Sequence, residues 1–338
     1  MANPAPAYIQ VHPSYFHPEV ILPYSQASNA FELLPNGDLE QRLGEVDKAV
    51  YFKRLDVRTR AAVSQAAYNN LPSCEIIATQ FSTPTYRQRV RAEYDHLDIA
   101  SWGAWGISLP EAQRLAMQQA HNQNIRTALL VGYNPANGEG ILNANGATAV
   151  SLPADPQGNL TVSTYDNGAF AFFFNSLIQA IKQRTYQLGL GREFVVIGPQ
   201  RILGGIGYNI LQLTQYQRQG AGSRSVKGTI EDVLLDNGDS LTWGFDDTLQ
   251  GKGAGGSDAV IIAMPRIEVP KAAVRNTNVF ATLQPSYNNI LAQFCDMPAP
   301  REIPTQIPGG AVDIVSEILI TSGLGVRPEG VTILSANP

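Results

Sequence analysis

The chain holds 338 residues with a mass of 36.6 kDa, enough for two domains or for one extended domain with appendages. Charged residues are 16%, where about 25% is usual, and a net charge of −5 argues against a protein whose main task is gripping nucleic acid through clustered Lys and Arg. A compact body of this mass would expose roughly 13,500 Å², so sparse charge leaves much of that surface neutral, and neighbouring subunits are expected to cover it.

Residues 1–45 carry Pro4, Pro6, Pro13, Pro18, Pro23 and Pro35 among the aromatics Tyr8, Tyr15, Phe16 and Tyr24. Repeated proline precludes a regular helix or a central strand, and the segment is too aromatic for a free tail, so an extended arm lying on another surface is expected. Residues 46–97 hold two polar, strand-like stretches, VDKAVYFKRLDVRTRAAV and CEIIATQFSTPTYRQRVRAEYDH, separated by AAYNNLPS, whose Asn-Asn and Pro mark a break. Tyr86, Gln88, Val90, Ala92 and Tyr94 alternate there with Arg87, Arg89, Arg91 and Glu93. Both stretches are too charged for a core, and a two-stranded ribbon is marginal alone in water, so the ribbon is expected to rest on a partner chain. Arg54, Arg58, Arg60, Arg87, Arg89 and Arg91 are the candidate subunit-interface residues: each either reaches a neighbour's carboxylates or lies on a solvated strand face.

Residues 98–164 are dominated by SLPEAQRLAMQQAHNQNIRTALLVG, the longest helical signal in the chain. Ser108 and Glu111 have capping-box spacing, Pro110 sits in the first turn, and Gly132 closes the run. About twenty residues make a rod of roughly 35 Å. Leu109, Ala112, Leu115, Ala116, Ala120, Ala128 and Leu129 form a thin apolar stripe beside a broad Gln/Asn face, which suits a scaffold. GYNPANGEGILNANGAT follows as a turn-rich connector.

Residues 165–300 alternate helix and strand, as in an α/β domain. Asp166 and Asn167 offer caps for a helix ending at Gly189, with Phe170, Phe173, Phe174, Leu177, Ile178, Ile181 and Leu188 as its core face and Lys182 on the opposite side. Strand EFVVIG, a helical segment from Arg201 to Gln219, a short helix from Thr229 to about Leu235, and strands SLTWGF and AVIIAMP come next. Residues 301–338 close with two strands, Gly323 and Gly325 supplying the bend, and both are expected to pack on the long rod.

No constellation for chemistry emerges. His12, His17, His96 and His121 are too scattered for a metal site, Cys74 and Cys295 have no metal spacing and read as reduced thiols, and no cofactor is implied. GKGAGGSD has its lysine too early for a phosphate loop, and a strand follows it. Asp236 and Asp239 flank a DNGD turn, which accounts for both. No apolar run reaches the roughly eighteen residues of a membrane span, and the N-terminus lacks a signal-peptide layout, so a soluble product is expected.

The order of parts, together with GILN at Gly140 to Asn143, GTIEDVLLDN from Gly228 and LQGKGAGGSDAVIIAMP from Leu249, resembles the major capsid proteins of tailed bacteriophages with the Hong Kong 97 type of shell fold. That resemblance implies an α+β chain: N-terminal arm 1–45, extended E-loop 46–97, peripheral domain with a spine helix 98–164, axial domain 165–300, and C-terminal strands of the peripheral domain 301–338. It implies a structural protein with no enzyme activity, self-assembling into hexamers and pentamers of an icosahedral head that encloses double-stranded DNA without reading its sequence. Scaffolding, portal and decoration proteins are the further partners implied, the scaffold being a separate protein if one is used. The location implied is the virion, after assembly in the host cytoplasm. An encapsulin-like shell around an enzyme cargo shares the fold, and a small-molecule enzyme on the α/β part is the rival of another class.

Overall fold

The computed structural model describes residues 28–34, 37–58, 75–104, 106–189, 191–208, 210–211, 224–267, 287–307 and 310–338. Most of the expected arm, Arg60 and the later part of the segment after Arg201 therefore lie outside the described residues. The elements in chain order begin with β1 (Glu40–Gln41), β2 (Ala49–Arg58), β3 (Glu75–Tyr94), α1 (His96–Gly103), α2 (Leu109–Leu130), β4 (Thr148–Ser151) and α3 (Asn167–Arg184). Then come β5 (Glu193–Gly198), α4 (Gln200–Tyr208), β6 (Ile210–Leu211), β7 (Arg224–Ser225), α5 (Val226–Asp236), β8 (Ser240–Phe245) and β9 (Asp258–Ala263). The chain ends with β10 (Leu291–Ala292), β11 (Phe294–Cys295), β12 (Arg301–Gln306), β13 (Val312–Thr321), β14 (Leu324–Gly325) and β15 (Val331–Ala336).

Two larger sheets organise these strands. One runs β1-β11-β13-β3-β2 with β12 also on β13, and the other is five-stranded, β4-β15-β9-β5-β8. The inner strands of the second sheet, EFVVIG and DAVIIA, are near-continuous apolar runs because they are buried on both faces. Helix α3 lays Phe170, Phe174, Leu177, Ile178 and Ile181 on this sheet, along the face its 3.6-residue period defines. Its first turn is capped as expected, the Asp166 carboxylate accepting from the Ala169 N–H at 2.8 Å.

Helix α2 joins the two sheets. Ile125 and Ala128 pack with Cys295, Ile318 and Ile320 of the first, while Leu129 and Leu130 enter the core of the second. Four positions within the last two turns of the helix thus serve two cores, and their burial ties the sheets to one rigid rod.

Several expectations are corrected. Ser108 is the N-cap residue of α2, but its side chain makes no capping bond. The buried stripe of α2 is Leu109, Met117, His121, Ile125 and Ala128, whereas Ala112, Leu115 and Ala116 face solvent. Helix α3 stops at Arg184, and Leu188 is exposed because Tyr186 takes a positive φ of 58° and turns the chain first. Lys182 is buried, not solvated. Of the two final strands only β13 lies beside α2; β15 enters the five-stranded sheet between β9 and β4.

Candidate functional site

The ribbon is half of a longer strand. β3 runs for 20 residues, pairing antiparallel with β2 from Arg58↔Glu75 to Ala49↔Pro84, and then with β13 from Thr321↔Thr85 to Val312↔Tyr94. Pro84 stands at the change of partner, where its missing N–H interrupts no continuous ladder. The ribbon is rooted by stacked Phe52 and Phe81, whose ring centroids are 5.4 Å apart, with Tyr287 and Phe294 closing on Phe52 at 5.7 and 5.8 Å. Tyr51 beside this root and Leu55 and Ile76 beyond it are exposed, Ile76 at 67%. Apolar side chains on both strands of an uncovered ribbon are what a docking partner would bury.

The second half of β3 carries the arginines, and the expected alternation holds: Gln88 is buried while Arg87, Arg89 and Arg91 face out. Each finds a carboxylate of its own chain. Arg89 Nε lies 2.9 Å from Glu317 and Arg91 Nε 2.9 Å from Asp313, with Arg87 at 3.6 Å from Glu317. The Asp313 carboxylate raises the Arg91 pKa, first by hydrogen bonding and then by charge. Arg54 is exposed on β2, and Arg58 ends that strand. The sequence brought the ladder into view but not these partners, which sit more than 200 residues away on β13.

Behind the ladder, the loop after α2 forms a knot. Gly132 has a φ of 78°, and a Cβ there would stand 2.4 Å from the Glu139 carbonyl oxygen; a Cβ on Gly140 would stand 2.3 Å from the Val131 carbonyl carbon. The Asn143 amide donates to the Val131 carbonyl at 2.7 Å. Thus the glycines of GYNPANGEGILN permit two backbones to touch. The knot buries Glu139, whose carboxylate accepts from the Tyr86 hydroxyl at 2.9 Å, the Ser322 hydroxyl at 2.7 Å and the Asn134 N–H at 3.0 Å. Burial and this carboxylate push the Tyr86 pKa up to about 12.

Two buried ion pairs complete the frame. Lys182 Nζ is 2.9 Å from both Asp239 oxygens, and Arg126 Nε is 3.5 Å from Asp246. Asp239 therefore does more than close a turn. The glycine-rich loop closes on itself, the Gly251 N–H donating to Asp258 at 2.9 Å and the Gly253 N–H to the Ser257 carbonyl at 2.7 Å. Among the described residues no group of acidic, His and Cys side chains is placed to hold a metal, and no helix is long and apolar enough to cross a membrane.

No family model matches the sequence, and no curated protein is similar to it. Solved structures are. A chain from the capsid of Myoviridae phage XM1 is 11% identical, with 96% of each chain covered and a TM-score of 0.68. A chain from the capsid of cyanophage P-SCSP1u is 11% identical, covering 96% of this chain and 93% of the other with a TM-score of 0.55, and one from Mycobacterium phage Che8 is 12% identical over 97% and 98%, also at 0.55. Across nearly its whole length, then, this chain has the α+β fold found in phage capsids.

Proposed function

We propose that the chain is the major capsid protein of a tailed phage, assembling as hexamers and pentamers into an icosahedral head around double-stranded DNA. The observation that carries this reading is the likeness to phage capsid chains over 96% of the sequence. The exposed ribbon supports it, because a two-stranded ribbon with Tyr51, Leu55 and Ile76 uncovered is completed only by another surface. Each subunit meets several neighbours at high effective concentration, so modest contacts suffice.

In this reading the ribbon and the outward face of Arg87, Arg89 and Arg91 meet neighbouring subunits, residues 165–300 surround the axes of symmetry, and portal, decoration and scaffolding proteins are further partners. DNA is held by confinement, consistent with a net charge of −5. Assembly takes place in the host cytoplasm, and the product resides in the virion. The phage origin of the similar chains favours this over an enzyme-loaded compartment. Negative-stain microscopy of the expressed protein, with any assembly helper supplied, tests it: closed shells are expected. Lys53 and Gln80 are cross-strand partners, so replacing residues 54–79 with an Asn-Gly turn keeps the root at Phe52 and Phe81. The variant should remain a folded subunit and form no shells; normal shells from it would refute the ribbon's role, and an intact chain that stays monomeric at high concentration would refute the function.

A further inference from the structure

The face of β3 turned toward α2 is polar where a core face would be apolar. His121, fully buried midway along α2, places Nε2 at 3.0 Å from Ser316 Oγ on β13 and Nδ1 at 3.4 Å from Gln88 Oε1 on β3. The Gln88 amide nitrogen donates in turn to the Tyr133 hydroxyl. Both ring nitrogens thus have a partner on the two strands, the Gln88 oxygen as an acceptor for Nδ1–H and the Ser316 hydroxyl beside Nε2. Tyr86 packs on Tyr133 with ring centroids 4.7 Å apart and donates to Glu139. The long helix, the arginine strand and its β13 partner therefore meet on hydrogen bonds centred on one imidazole.

The charges around it lie elsewhere. On β3 the titratable groups of the inner face are Tyr86 and Tyr94, while Arg87, Arg89, Arg91 and Glu93 face out. On β13, Glu317 and Asp313 are engaged by those arginines. The loop after α2 contributes Tyr133 and, beyond Tyr86, Glu139. On α2 itself Arg114 pairs with Glu302 and Arg126 with Asp246. Among the described residues no carboxylate forms an ion pair with His121 that would offset a proton there.

We propose that this joint is an acid-sensitive latch, in which protonation of His121 loosens the seam between α2 and the inner half of β3 and so frees the ribbon from the body. A cation in that position has hydrogen-bond partners but, among the described residues, no ion-pair partner and no exposure to solvent, and the seam can hydrate it only by opening. Burial holds the His121 pKa below its ordinary value of 6.5, against the smaller upward pull of a hydrogen bond to the Ser316 backbone. The sign follows: the opened seam binds a proton more readily than the closed one, so latch strength is complete above about pH 6.5 and is lost as pH falls toward the folded pKa. One proton limits the change in opening to tenfold per pH unit, or at most about 25-fold between pH 7 and pH 5.

Hydrogen–deuterium exchange of the full chain at pH 7, 6 and 5, corrected for intrinsic exchange, tests this. Peptides from residues 85–94 and the middle of α2 should open up to about 25-fold more often at pH 5, those of the five-stranded sheet should not, and His121→Gln should remove the acid response. An equal response in His121→Gln, none in the wild type, or one spread evenly over both sheets would overturn the proposal. If that variant does not fold, an NMR titration of His121 in the wild type decides: a pKa below 6.5 that tracks exchange at the joint supports the latch, and one at or above 6.5 overturns it.

Discussion

The Lys182–Asp239 pair offers a quantitative test of how α3 is held to the sheet. Both side chains are almost wholly buried, at 3% and 0% exposure, and Asp239 also accepts the Arg192 N–H at 2.9 Å. Lys182→Met removes the only ammonium bonded to that carboxylate among the described residues and strands it in the interior, at a cost of about 3–5 kcal/mol. With about 2.1 cal/mol/K of unfolding entropy per residue over 338 residues, that loss lowers the melting temperature by about 4–7 °C. The double variant Lys182→Met/Asp239→Leu strands no charge and leaves only the Arg192 N–H without its acceptor, so about 1–3 kcal/mol is lost. Calorimetry of the unassembled subunit at neutral pH reads both. The reasoning fails if Lys182→Met moves the transition by less than about 1 °C, or if the double variant is less stable than the single one.

Gly140 has φ 80° and ψ 148°, which side-chain-bearing residues avoid, and its ideal Cβ stands 2.3 Å from backbone. Gly140→Ala should therefore cost about 2–6 kcal/mol in urea unfolding, whereas Gly158→Ala, with a positive φ but open space, should cost only about 1–2 kcal/mol; equal losses would contradict the close-contact account. Burial pushes the Asp258 carboxyl up, but hydrogen bonds from Arg201 and the Gly251 N–H outweigh it and hold its pKa below 3.8. Its contribution is therefore present above about pH 4 and lost as pH falls through the folded value, so the stability gap between wild type and Asp258→Asn should narrow from pH 6 to pH 3 in urea midpoints, and a constant gap would refute the assignment. Replacing Arg87, Arg89 and Arg91 with Glu should leave a folded subunit by circular dichroism, since the arginine side chains lie on the outer face at 41–60% exposure, yet abolish shells in negative stain; unaffected shells would mean that the face meets no neighbour.

Local patterns carried much of the fold into the sequence. The aromatic stripe and Asp166 cap specify α3, the apolar runs specify β5 and β9, and the alternation from Tyr86 to Tyr94 sorts the inner from the outer face of β3. Long-range pairing left no such mark. Nothing local to Pro84 says that β3 changes partner there, and β15 reads the same whether it joins one sheet or the other. Burial of charge was hidden for the same reason: Lys182, Asp239, Asp246 and Glu139 look solvated until folding supplies their partners. The stripe of α2 was misplaced because its central position is a histidine, which a count of apolar residues passes over.

A single strand shared between ribbon and body is mechanically a cantilever. Twenty residues at about 3.3 Å each make a bar of roughly 65 Å, half projecting with β2 and half clamped against β13. A load at the free end cannot relax within the ribbon, because the same backbone continues under the arginines to the knot at Glu139 and the rod beneath it. Whatever seats on the projecting half thus bends the clamped half of the same molecule.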